Sequence, residues 1–286
     1  MLQHDIRLHP SGAACVERIR PLLTANCVFT ELETSLVRPG RQPEKKRNSV
    51  FFHAASPCVV DVLVDMGFNL FATANNHAGD LGEEGIRTLM EEFAMRELVM
   101  GGIGMNARHA ALPVFLDTPH GRIAQVAFAS KIPAHSIATI DSPGVNSLSM
   151  ADVDTSTLNE EELDRVLQSI EQARAGYVDP DTDEHVAPAD LVIAYHHNVR
   201  DGFLLLRACT AVRDVFSCIF DLSVIFTFDS CFVVPTLFSL FSVCVCFSAL
   251  LGEECDGEYR EQDGHLEARF GPYAHRRRCA RVRGAR

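Results

Sequence analysis

The stretch Asn69–Glu84, NLFATANNHAGDLGEE, decides how the rest of the chain is read. Leu70, Phe71 and Ala72 form a short apolar run bounded by polar residues, the pattern of a buried strand, and from Glu83 onward the spacing turns helical. Between the two lie Asn75, Asn76, His77 and Asp80. In an open α/β sheet, ligands bind in the crevice beyond the carboxyl ends of the strands, so this loop is placed where chemistry is expected. An amide oxygen, an imidazole and a carboxylate suit a hard or borderline cation and the groups that orient its ligands. Ordinary turn chemistry explains Asn-Asn-His equally well, because Asn tolerates left-handed backbone and caps helices. The loop alone leaves both readings open.

Working outward, Pro57 opens a helix whose Val59, Val60, Leu63, Val64 and Met66 form an apolar stripe, and Gly67 ends it where a left-handed residue is wanted. A second helix, Glu83 to Glu97, carries Ile86, Leu89, Met90 and Phe93 behind an acidic first turn. Val99 and Met100 begin another strand, followed by Gly101, Gly102 and Gly104, which permit close backbone approach; no dinucleotide fingerprint follows. Leu112–Leu116 and Ile123–Ala129 flank Thr118-Pro-His-Gly121 as a hairpin. Residues 131–157 are loop-rich, the length of a lid or substrate wall. Asn159 and Glu162 form an N-cap pair before a helix to Ala173, and a buried strand, Leu191–Tyr195, ends in His196-His197-Asn198.

Toward the N-terminus, a short helix within residues 11–26 precedes a strand, Cys27 to Leu32, on which period-two alternation puts Glu31 and Glu33 on one face. One of the two can then reach a metal while the other supports it. Residues 38–49 mix Pro, Gly and positive charge, an exposed loop, and Phe51-Phe52 read as a short strand.

Composition narrows the function classes. The 286 residues are 47% hydrophobic, enough for a sizeable core, and the net charge of −12 argues against nucleic-acid binding, which needs a basic surface. Of ten cysteines, only Cys15, Cys27 and Cys58 precede residue 201, and Cys244-Val-Cys246 is one residue short of a C-x-x-C pair, so neither a disulfide framework nor a zinc ribbon is expected. Residues 1–10 show no signal-peptide core, which makes a cytoplasmic protein the first expectation.

The segment GFNLFATANNHAGDLGEEGIRTL resembles the part of the bacterial capsule-synthesis CapA-type (poly-gamma-glutamate capsule) family in which a strand runs into A-N-N-H, then D-x-G-x-x-G and a helix. Three further pieces agree in order: CVFTELETS (27–35) with V-x-x-N-L-E, GGIGMNARHAA (101–111) with G-x-G-x-N-x-x-x-A, and DLVIAYHHN (190–198) with a strand delivering a histidine. The resemblance implies an α/β fold of the calcineurin-like metallophosphoesterase kind, a layered sandwich of sheets and helices. It implies divalent metal ions, a pair of the manganese, iron or zinc kind, with Glu33, Asn76 and His196 as ligands. His77 would act on the developing charge or leaving group, and Asp80 would orient it. The substrate would be a small molecule or polymer with a phosphoester or gamma-glutamyl linkage.

The family opens with a strand ending in Gly-Asp or Gly-Gln and closes with G-H-x-x-H; here the chain begins Met1-Leu-Gln-His-Asp and has no such segment after His197. The family-like domain is therefore expected over residues 1–200, incomplete at both ends. Residues 201–286 read as an unrelated tail, a translated intron or shifted frame. Within it Ser230–Gly252 is an uncharged run of spanning length, which makes a membrane anchor the alternative, and His275–Arg286 is an arginine cluster. Two function classes remain: a metal-dependent hydrolase, or a catalytically inactive remnant or membrane-anchored accessory protein of the same fold.

Overall fold

The computed structural model describes residues 3–41, 53–152 and 157–198, and the strand segments 224–227, 230–232, 243–245, 259–262 and 265–268. In chain order the main elements are α1 (Pro10–Ile19), β1 (Cys27–Glu31), β2 (Ser35–Leu36), β3 (Ala54–Ala55), α2 (Cys58–Met66), β4 (Leu70–Ala72), α3 (Gly82–Ala94), β5 (Val99–Gly101), β6 (Ile103–Gly104) and α4 (Ala107–Ala111). They continue as β7 (Val114–Thr118), β8 (Gly121–Ser130), β9 (Gly144–Val145), β10 (Met150–Asp152), β11 (Thr157–Leu158), α5 (Glu160–Ala175), β12 (Tyr177–Val178), β13 (His185–Val186) and β14 (Leu191–Asn198). Beyond these come β15 (Val224–Thr227), β16 (Ser230–Phe232) and β17 (Val243–Val245).

Two sheets form the frame, β17-β1-β4-β5 and β16-β15-β14-β8-β7. In the first all neighbours are parallel, and in the second β8, β14 and β15 are parallel while β7 and β16 pair antiparallel at the edges. A strand covered on both faces needs apolar residues on both, which is why Leu70-Phe71-Ala72 carries no alternation. Phe29 meets Tyr195 across the sheets with ring centroids 5.3 Å apart, while Phe71, one step out of phase with Phe29, points outward to Phe93 of α3 at 5.0 Å. Ala124, Val126, Phe128, Val192 and Ala194 face the other way, onto Val166, Ile170 and Ala173 of α5. The result is four layers: α2 and α3, the first sheet, the second sheet, and α5.

Local signals account for the element ends. Gly67 stops α2 in a left-handed conformation (φ 113°), as expected. Gly102 (φ 104°) brings the chain so close to the loop after β4 that a Cβ there would lie 2.5 Å from Ala74 Cβ and 3.0 Å from Ala127 Cβ. Asn159 caps α5 by accepting from the Glu162 N–H at 3.1 Å. The reciprocal half of the expected N-cap pair is replaced: the Glu162 carboxylate instead accepts from the Ser149 hydroxyl at 2.6 Å and from Ser147, tying the 146–149 stretch to the helix.

The described residues fall in two compact units, Leu2–Phe247 and Ser248–Arg286 with Met1. The second is described by one antiparallel hairpin, Tyr259–Gln262 with His265–Ala268. In the first, pairing continues past residue 200, where the sequence-based boundary lies: β15 runs parallel to β14 and β17 parallel to β1. The expected Phe51-Phe52 strand, most of the 38–49 loop and the 275–286 arginine cluster lie outside the described residues, as does most of the 230–252 run. No helix among the described residues is long and apolar enough to cross a membrane.

Candidate metal centre

The loop after β4 is wired by its first asparagine. Asn75 Oδ1 accepts from the backbone N–H of His77 at 3.0 Å and of Ala78 at 2.8 Å, and its Nδ2 donates to Leu32 O at 2.9 Å. This is the turn chemistry that Asn favours, and it also fastens the loop to the exit of β1. Ser35 Oγ adds a second tie, lying 2.9 and 2.8 Å from the carbonyl oxygens of His77 and Ala78. With Asn75 used in this way, Asn76 and His77 turn into the space between the sheets, both buried.

Asp80 then fixes the histidine. Its Oδ2 lies 2.7 Å from His77 Nδ1 and accepts the His53 backbone N–H at 2.8 Å. With Nδ1 engaged by the carboxylate, the Nε2 edge is presented to Glu33, whose Oε1 is 3.8 Å away. The His53 ring stacks on His77 at 3.5 Å between centroids. One ligand atom from each of Glu33, His53 and His77 lies within 4.8 Å of the others. Two donors held at 2.0 to 2.2 Å from one ion are separated by at most about 4.4 Å, so the Glu33–His77 pair meets that limit and the triad reaches it with a small side-chain adjustment. The carboxylate–histidine arrangement of Asp80 and His77 is also the one that orients a metal-binding imidazole. Donor types and spacing thus fit a divalent cation.

The second sheet contributes His197. Its Nδ1 is 2.7 Å from Glu31 Oε1, its Nε2 is 2.8 Å from Asn76 Oδ1 and 4.0 Å from Glu33 Oε1. Burial works against its charged form, but the Glu31 and Glu33 carboxylates together outweigh this and raise its pKa. Glu33 is also pushed up, first by burial and then by the neighbouring Glu31 charge, with His197 and His77 opposing. Carboxylates crowded out of water in this way are stabilised by a cation.

His196, the expected ligand, is not brought to this cluster. Side chains alternate along a strand, so His196 and His197 leave β14 on opposite faces. His196, paired in register with Phe128, stacks on that ring at 5.1 Å on the α5 side of the sheet, with Nε2 2.8 Å from Ser130 Oγ. It is fully buried, and burial, followed by the nearby His197 charge, lowers its pKa to about 3. His197 therefore stands where His196 was expected. Glu33, Asn76, His77 and Asp80 do converge. His53 was missed, because nothing in FFHAAS marks a lone histidine after an apolar pair; its place is set by β3 pairing with β2 and by Asp80. Glu31 and Glu33, expected on one face, both lie near His197, at 2.7 and 4.0 Å.

The sequence profile described as "Bacterial capsule synthesis protein PGA_cap" matches residues 2–202, which include every side chain of the cluster. The chain belongs to the PGA_cap family. Two proteins of Sinorhizobium fredii, the uncharacterized proteins y4sH and y4uA, are each 28% identical to it over 148 residues, 49% of this chain and 32% of theirs. The capsule biosynthesis protein CapA of Bacillus anthracis is 26% identical over 129 residues, 45% of this chain and 31% of its own length. The chain thus spans about a third of the length of the curated relatives it matches. PGA_cap membership accords with metal use at the Glu33–His53–His77 cluster.

Proposed function

We propose that this PGA_cap chain carries a metal-dependent hydrolase site of the calcineurin-like metallophosphoesterase kind, acting on a phosphoester or gamma-glutamyl linkage. The observation that carries the reading is the Asp80–His77–Glu33 line, with 2.7 and 3.8 Å between successive groups, which together with Asn76 of the same loop meets His197 from the opposite sheet. Glu33, Asn76 and His197, with His53 beside them, would hold one or two divalent cations of the manganese, iron or zinc kind. A cation there supplies Lewis acidity toward the bond to be cleaved and lowers the pKa of a bound water.

The chain's own residues do the rest. Asp80 keeps the proton of His77 on Nδ1 and fixes the ring, so that Nε2 is aimed and can take up or deliver a proton at the leaving group. Glu31 holds the His197 ring through Nδ1 and turns Nε2 toward Asn76. The two covering layers keep bulk water from the centre, where electrostatic interactions are strongest.

His77 Nε2 also belongs to the Glu33–His53–His77 cluster, which favours a second reading in which His77 is itself a ligand. His77→Ala separates them: retained metal with lost turnover marks a proton carrier, and loss of both marks a ligand. The whole reading is tested by metal content after desalting and by hydrolysis of bis-p-nitrophenyl phosphate. A chain that holds no metal and cleaves nothing is the inactive remnant.

A further inference from the structure

We propose that a cavity of about 200 Å³ between the Arg38–Arg41 turn and α3 is a second ligand site, in which Arg41 and Arg87 hold a small oxyanion, a carboxylate or a phosphate. It shares no residue with the metal centre and does not rest on the hydrolase reading.

Two local causes build its walls. Arg38-Pro39-Gly40-Arg41 closes as a turn, with the Arg41 N–H donating to Arg38 O at 3.1 Å; proline at the second position and a left-handed glycine (φ 79°) at the third are what such a turn requires. The opposite wall is α3, on which Glu84, Arg87, Thr88 and Glu91 recur at helical spacing along one side. Leu36 and Val37 lead into the turn and supply the apolar part of the lining. Leu36 and Glu84 are also the chain neighbours of Ser35 and Gly85, which pack together: a Cβ on Gly85 would lie 3.5 Å from Ser35 Oγ, and Ser35 Oγ lies 2.9 Å from the His77 carbonyl oxygen. The cavity is thus one residue removed from the packing under the loop that carries His77.

Charge decides what the cavity takes. The chain carries a net −12, yet arginines outnumber carboxylates on this lining, Arg38, Arg41 and Arg87 against Glu84 and Glu91. Arg38 is already engaged, with Nε 2.6 Å from Glu92 and Nη1 2.8 Å from Glu91, and the second of these pairs neutralises Glu91 as well. Arg87 keeps donors to spare: Glu83 stands 3.7 Å away, beyond hydrogen-bond length, and Nη1 has the Met105 sulfur, a weak acceptor, at 3.4 Å. Among the described residues Arg41 has no carboxylate partner. Two guanidinium forks facing one partly apolar cavity match the planar, paired acceptor oxygens of a carboxylate or phosphate. Glu84, on the same wall as Arg87, opposes the anion and tempers its affinity.

Phenylglyoxal labelling of the full chain, followed residue by residue by mass spectrometry, tests the site. Inorganic phosphate or, separately, propionate is expected to slow modification of Arg41 and Arg87 together, while exposed Arg18 keeps its rate. In calorimetric titration with the protecting anion, R41Q and R87Q are each expected to bind roughly ten- to a hundredfold more weakly, the size of one charge-assisted hydrogen bond, and E84Q to bind more tightly. Protection by phosphate alone assigns a phosphorylated ligand, and protection by propionate alone assigns a carboxylate. Labelling of both arginines that neither anion slows, equal affinity in wild type and both arginine variants, or weaker binding by E84Q overturns the proposal. The reagent attacks guanidinium groups, whereas the metal centre is built of carboxylate, amide and imidazole, so this outcome and that of the hydrolase reading are read separately.

Discussion

His196 and His197 are neighbours in sequence and occupy two regions with different chemistry. His197 lies between the sheets among Glu31, Glu33 and Asn76, where a charged imidazole is stabilised. His196 lies between the second sheet and α5, against Phe128 and Ser130, where only the neutral ring is tolerated. A single peptide step thus separates a charged, polar environment from an apolar one, and residue type alone does not distinguish them.

The largest effect that would sharpen this contrast is expected at His77, which lies on the His197 side. His77→Ala should lower turnover on bis-p-nitrophenyl phosphate by roughly a hundredfold or more, the usual share of a positioned acid or base. Next, His197→Ala should weaken manganese binding at least about tenfold, read by equilibrium dialysis, whereas His196→Ala should leave it unchanged. Equal losses in the two variants would break the comparison. In urea unfolding, His196→Ala should instead cost about 2–4 kcal/mol, through the vacated volume beside Phe128 and the partner lost by Ser130.

The smallest effect is in titration, and the two histidines should show opposite signs in metal-free protein. The folded pKa of His196 is depressed to about 3 from 6.5, so below pH 6.5 the unfolded chain takes a proton that the folded chain refuses. Its contribution to stability therefore falls as pH drops through that window. The pKa of His197 is raised, so its contribution is fully present below the unfolded value and is lost as pH rises through the folded one. Ring-proton NMR should show His197 titrating above the ordinary histidine value and His196 silent down to about pH 3.

The fold was legible wherever a local cause sets the structure. Gly67 after an apolar stripe, the uninterrupted Leu70–Ala72 run and the Thr118–Gly121 turn each specify their element within a few residues, and each appears as expected. The candidate site was legible where the loop chemistry is local, in Asn76, His77 and Asp80. It was not legible where tertiary packing decides. Which of two adjacent histidines faces the other sheet depends on the side that α5 covers, and α5 is separated from β14 by the whole β12–β13 hairpin. His53 escaped notice for the same reason: its partner Asp80 is 27 residues away. The division of labour between Asn75 and Asn76 follows from the Leu32 carbonyl, which sequence does not place.

The contact between His197 Nε2 and Asn76 Oδ1 joins residues 121 apart in sequence, one from each sheet. The ring is therefore a rivet through the middle of the sandwich as well as a member of the centre. Any ion seated there would grip both sheets at once, and because it binds only the closed arrangement, its concentration would raise the melting temperature. Chelator in a purification buffer would then loosen the body of the protein along with its chemistry, so that a thermal-shift curve reads out which metals the centre accepts before any substrate is known.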